Sequence, residues 1–188
     1  DITLNHNDNY WLRLPVDPYI LPEAYASEEV ATNEFFDRAQ DKAILTVQKH
    51  SMLIKGEQRN NQIARAYLLL GKARYYNGKY LQAIEAFTYL VKNMSGDDLA
   101  VEAELWRSKS YSALGQHERA ARELINIAFS GALNNEQYAV SQAALADALL
   151  REEKDSLATE PLRKAFATEN QPIKEGAMPS CWDSYMKI

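Results

Sequence analysis

The chain has 188 residues, 46% of them apolar, and a formal net charge of −5. That length can bury a core as one domain or as one stack of repeats, and the acidic balance argues against nucleic acid as a main partner. The absence of any eighteen-residue apolar run excludes a membrane-spanning helix, and the one cysteine, Cys181, excludes an internal disulfide.

Residues 1–22 carry Pro15, Pro18 and Pro22 with Tyr10, Trp11 and Tyr19 among them. Each proline drives the residue before it toward extended backbone, so this stretch reads as an extended arm that lays its aromatic rings on a helical body. Ser27 followed by Glu28 and Glu29 opens a helix with acids in its first turn. Phe35, Ala39, Ala43, Val47 and either Lys49 or His50 follow at three- to four-residue spacing, which predicts one amphipathic lead helix over roughly 28–53. Residues 55–61 are polar and loop-like. Charge is uneven: residues 1–56 sum to −4 and residues 57–92 to +4. The first reading is of two solvated faces that attract each other. The second is of a basic surface that receives an acidic partner.

A pattern then repeats. Gly71, Tyr75, Gly78, Tyr80, Ala83 and Phe87 set it. Tyr111, Gly115, His117, Ala120 and Leu124 echo it, and Ala146, Leu150, Glu153, Asp155, Ala158 and Leu162 echo it more faintly. Ala83, Ala120 and Ala158 stand 37 and 38 residues apart. Gly71 has no side chain and lets a second helix approach, with Ala83 facing the gap and Phe87 filling the space one turn on. Gly78 and Gly115 fall just past a helix end, where glycine adopts left-handed backbone at little cost. The second copy keeps a small residue, Ser108, in place of Gly71, and the third uses Ala146 and loses its turn glycine to Glu153.

The predicted helices are 61–77, 80–93, 98–114, 117–130, 135–152 and 155–168, with Pro161 expected to kink or shorten the last. A period a little above 34 with this small/large alternation resembles the tetratricopeptide repeat. The resemblance implies an all-α, right-handed superhelix of about three helix pairs that binds peptides or proteins. The organisation is then arm and lead helix over 1–60, repeats over 61–168, and a tail over 169–188 that is either a capping segment or foreign sequence appended at Gly176. Because the chain opens on Asp1 and not Met, it reads as part of a longer protein, with any targeting segment outside it.

Side-chain chemistry gives no catalytic constellation. His6, His50 and His117 lie far apart with no second ligand at metal spacing, so no metal or other cofactor is expected. His117 stands where the first repeat has Tyr80 and reads as a packed structural side chain. There is no glycine-rich phosphate loop and no nucleophile elbow. Asp97 and Asp98 read as a helix cap, and neighbouring Glu152 and Glu153 point apart on a helix. The expectation is a protein that is not an enzyme.

Function is therefore expected in the groove lined by the first helix of each pair. Its inward candidates are Arg65, Leu68, Lys72, Tyr75 and Tyr76 in the first repeat, with one of the two tyrosines packed inside the stack. In the second they are Glu102, Leu105, Lys109, Ser112 and Ala113, and in the third Val140, Ala143, Asp147, Leu150 and Arg151. Arg65 and Lys72 are seven apart and share a face, and cations beside aromatic rings suit peptide recognition. The carboxylate-clamp type of this repeat carries an asparagine where Leu68 and Leu69 stand here, so chaperone-tail binding is not expected.

Three further stretches carry a narrower resemblance: the run from Asp8 through Tyr10, Trp11 and Pro15 to Val16, the Val-Gln-Lys-His-Ser-Met run from Val47 to Met52, and the run from Ala66 through Gly71 to Tyr76. In this order and spacing they resemble the N-terminal region of the SprE/PorW family of tetratricopeptide lipoproteins, over roughly residues 1–168. That resemblance implies a periplasmic scaffold on the outer membrane, held by a lipid anchor that lies outside this sequence. It would link the translocon and the ring of the Bacteroidetes type IX secretion system in protein export and gliding. The alternatives are a generic soluble tetratricopeptide adaptor and an accessory helical domain of a larger protein.

Overall fold

A computed structural model describes residues 34–54, 57–58, 60, 62–94 and 99–167. The arm over 1–22, the helix start at Ser27, the Asp97-Asp98 cap, Cys181 and the tail over 169–188 lie outside these residues. Among the described residues the elements are α1 (Glu34–His50), β1 (Leu53–Ile54), β2 (Glu57–Gln58), α2 (Gln62–Tyr76), α3 (Tyr80–Asn93), α4 (Leu99–Ala113), α5 (His117–Phe129), α6 (Asn135–Arg151) and α7 (Asp155–Phe166). The fold is all-α, built of consecutive helix hairpins. It divides into two compact units, 34–123 and 124–167, with α5 beginning in the first and ending in the second.

In the first unit α1 packs on α2, α2 on α3, α3 on α4, and α2 also touches α4. This is the contact order a tandem of helix hairpins requires. The close approach of α2 and α3 sits where Gly71 predicts it. The ring of Phe87, fully buried, lies against the Gly71 backbone, and a Cβ there would overlap three of its ring atoms. Ala83 and Ala120 are fully buried, as is Ser108 at the position equivalent to Gly71. The hydroxyl of Ser108 stays satisfied inside the fold by donating to the Glu104 carbonyl.

The turns are built alike. Gly78 N–H donates to the Tyr75 carbonyl and Lys79 N–H to the Arg74 carbonyl; Gly115 and Gln116 repeat this pair of bonds onto Ser112 and Tyr111. Such six-to-one and five-to-two bonds close a Schellman motif, whose crossing residue must be left-handed. Accordingly, φ is +69° at Gly78 and +81° at Gly115. His117 opens α5, half-buried, with Nδ1 3.0 Å from the Ser112 hydroxyl.

The lead helix differs in two respects from the sequence reading. Its buried stripe is Phe36, Ala39, Gln40 and Ala43, and Phe35 is exposed. The two adjacent phenylalanines fit the spacing equally well, and only packing on α2 selects the second. The helix also ends at His50, not at 53, and β1 pairs with β2 antiparallel, Leu53 opposite Gln58 and Ile54 opposite Glu57. Side chains from the predicted loop stop it. Gln58 accepts from Met52 N–H at 2.8 Å and donates to the Ser51 hydroxyl at 2.7 Å. Asn60 donates to the His50 carbonyl and accepts from Gln62 N–H, so it closes α1 and opens α2. At the other end of α1, Asp37 Oδ1 accepts from Gln40, Asn77 and Lys79, which fastens the lead helix to the α2–α3 turn.

In the second unit α6 packs on α7. Ala146, Ala158 and Ala165 are fully buried and Leu162 nearly so. Asn134 and Gln137 form a reciprocal capping box that starts α6, a signal the helical periodicity alone does not reveal. The α6–α7 turn uses the same two bonds, Glu153 onto Leu150 and Lys154 onto Leu149, with Glu153 at φ +57°. A non-glycine residue therefore occupies the left-handed position. Pro161 does not shorten α7, which runs through it to Phe166. The proline removes the bond to the carbonyl of Leu157, a residue on the exposed side of the helix.

Candidate functional site

Helix α2 is buried along both flanks, by Ile63, Ala66, Leu70 and Ala73 on one and by Ala64, Leu68, Gly71 and Tyr75 on the other. What it leaves open is a stripe at three- to four-residue spacing: Gln62, Arg65, Leu69, Lys72 and Tyr76. Arg65 is exposed and Leu69 is 47% exposed; Lys72 and Tyr76 are half-buried. Thirty-seven residues on, the equivalent positions of α4 are Leu99, Glu102, Trp106, Lys109 and Ala113; the first three are half-buried, and Lys109 and Ala113, both expected in the groove, are buried.

The two stripes meet through charge and aromatic contacts. Lys72 Nζ pairs with the Glu102 carboxylate and lies 5.2 Å from the centre of the Trp106 ring. Lys109 Nζ lies over the same indole at 4.3 Å. Tyr76 meets Trp106 edge-on at 5.8 Å and stacks on Phe36 of α1 at 5.2 Å. Tyr75 meets Tyr76, Tyr80 and Trp106 at 5.3–5.7 Å, all edge-to-face. Ring quadrupoles favour these T-shaped contacts, and each is worth about 0.5–1.5 kcal/mol beyond its buried area. The cluster thus ties four helices, α1 to α4, together behind a partly open surface.

This geometry brings together Arg65, Lys72, Tyr76 and Glu102 as surface groups, and corrects four other candidates. Leu68 and Ser112 are buried, Tyr75 is 2% exposed, and so is Lys109. Leu68 and Leu105 are one residue out of phase with the open stripe: the side chains on it are Leu69 and Trp106. Tyr75 and Ser112 occupy the equivalent interior position of successive repeats and pack inside the hairpins. Lys109 is roofed by aromatic rings and serves the interior of the cluster. Trp106 was missed by the spacing argument because Leu105 and Trp106 satisfy three- or four-residue spacing from Glu102 equally well; its equivalence to Leu69 was the signal that could have found it.

Asp147 and Arg151 lie in the second unit, where Arg151 Nε donates to Asp147 at 2.9 Å along α6. Val140 and Leu150 are half-buried there and Ala143 is buried. Among the described residues no group of three or more histidine, cysteine or acidic side chains is placed to hold a metal ion, and no helix is long and apolar enough to cross a membrane. Comparison with models of known protein families gives no match, and comparison with curated proteins gives none either.

Proposed function

We propose that this chain is a non-catalytic docking scaffold that receives another polypeptide on the α2–α4 face. The observation that carries the reading is the open stripe of Arg65, Leu69, Lys72 and Tyr76 facing Glu102 and Trp106. A guanidinium, an exposed leucine and half-buried rings on one rigid face are the composition of an interaction surface. The interior below it is already filled by Tyr75, Phe87 and Leu90, so Arg65 and Leu69 add nothing that the hairpins require. The narrower placement, as a periplasmic scaffold of the type IX secretion system anchored at the outer membrane, is supported by the resemblance of the Asp8–Val16, Val47–Met52 and Ala66–Tyr76 runs and by the tandem hairpins themselves.

The test is affinity capture from a native envelope extract with the unaltered protein and with Lys72→Glu, which faces Glu102 with a like charge. The proposal expects secretion-system proteins to be retained by the former and lost by the latter at equal helical circular dichroism. Capture that is indifferent to Lys72→Glu removes the docking face. Capture of unrelated soluble proteins alone leaves an adaptor without the secretion role, and an upstream sequence lacking a signal peptide with a lipidated cysteine argues the same way.

A further inference from the structure

The open stripe carries more information than that a polypeptide docks there. Two cations, Arg65 and Lys72, lie on it beside one carboxylate among the described residues, Glu102, in a chain whose net charge is −5. Four other described arginines of the first unit are engaged: Arg38 pairs with Glu34, Arg74 donates to the Gln82 carbonyl, and Arg107 and Arg119 both pair with Glu123. Among the described residues none pairs with Arg65, which stands exposed one turn from the half-exposed Leu69. A guanidinium presents a fork of donors matched to a carboxylate.

From these contacts we infer that the α2–α4 face binds an acidic segment of a partner protein, in extended conformation, with an apolar residue two positions from an acidic one. The inference rests on the docking reading above and names the chemistry of what docks. The spacing follows from geometry. Arg65 and Leu69 are four residues apart on a helix, a rise of about 6 Å. Residues two apart on an extended chain point the same way and are separated by about 6.6 Å. An acid-x-apolar-x-acid segment therefore sets its first carboxylate on Arg65 and its apolar side chain on Leu69 and the Trp106 edge. Its second carboxylate falls within reach of the flexible ammonium of Lys72, which is half-buried and has donors beyond the one that meets Glu102. An internal segment suffices, because no part of this surface demands a terminal carboxylate.

Fluorescence anisotropy on the full chain tests this with a labelled, C-terminally amidated peptide Glu-Ser-Leu-Ser-Glu between Gly-Ser flanks, and with the same peptide carrying lysine for glutamate. The acidic peptide is expected to bind, and to bind more weakly as salt rises from about 50 to about 300 mM. Arg65→Glu should weaken it at least about tenfold and Leu69→Ser about fivefold. Lys92→Glu makes the same charge change at an exposed site on α3 and should alter binding less than about twofold. The inference is overturned if the lysine peptide binds as well, if Lys92→Glu equals Arg65→Glu, or if neither peptide binds. In these cases a partner captured through Lys72 still leaves the docking reading intact, so the two failures are told apart.

Discussion

Glu153 holds the same left-handed turn position that Gly115 holds one repeat earlier, with the same pair of backbone bonds closing the helix behind it. The repeat therefore imposes its geometry on a residue that disfavours it, at a cost of about 1 kcal/mol. Glu153→Gly should raise stability by about 0.5–1 kcal/mol, and Gly115→Ala should lower it by about 1 kcal/mol. The second change is a clean backbone probe, since a Cβ at Gly115 meets nothing within 4 Å. Urea midpoints check both, and a neutral Gly115→Ala would show that the turn does not need its left-handed residue.

Gly71→Ala probes the other device of the repeat. Its methyl would overlap the Phe87 ring, and overpacking of this kind costs about 1–3 kcal/mol. Phe87→Leu in the same chain should recover part of the loss. Two effects that simply add in a double-mutant cycle would mean that the residues are not in contact.

How much of this was legible in the sequence follows from which signals are local. Helix ends in the repeats were readable to within one or two residues because Gly78 and Gly115 mark backbone that few other residues adopt, and because the Ala83, Ala120 and Ala158 positions must be small. The phase of a stripe was less readable. Phe35 against Phe36, Leu68 against Leu69 and Leu105 against Trp106 are adjacent apolar pairs, and only the packing of a neighbouring helix decides which member is buried. The β1–β2 pair escaped notice because two-residue strands have no periodicity to read, and the Gln58 and Asn60 contacts that end α1 are tertiary.

Tyr75 and Lys72 separate folding from docking. Tyr75→Ala removes a ring buried among Tyr76, Tyr80 and Trp106 and should cost about 3–5 kcal/mol. Lys72→Glu loses an ion pair that is about a third exposed, a change of about 1 kcal/mol. Chemical unfolding should rank them in that order, and an unchanged midpoint for Tyr75→Ala would remove the ring from the core.

Alkaline pH tests the α2–α3 contact. Tyr67 stacks on Tyr89 at 4.2 Å, and burial first, then the neighbouring Tyr89 phenol, raises the Tyr67 pKa above its ordinary value. The neutral phenol is the form the fold favours. Its contribution is fully present below about pH 10 and is lost as pH rises through the raised folded value. Tyr67→Phe should show a shallower loss of stability above about pH 10 than the unaltered protein; an identical slope would mean that Tyr67 titrates as it does in the unfolded chain.

What touches the stripe decides whether α2 and α4 form a docking face. A photoreactive residue at Leu69, compared in the native host with one at Leu81, which is 63% exposed on α3, measures this. A discrete adduct at Leu69 that disappears with Lys72→Glu, and none at Leu81, is the predicted result. Equal adducts at both positions, or a Leu69 adduct that survives Lys72→Glu, would contradict a docking face on α2 and α4.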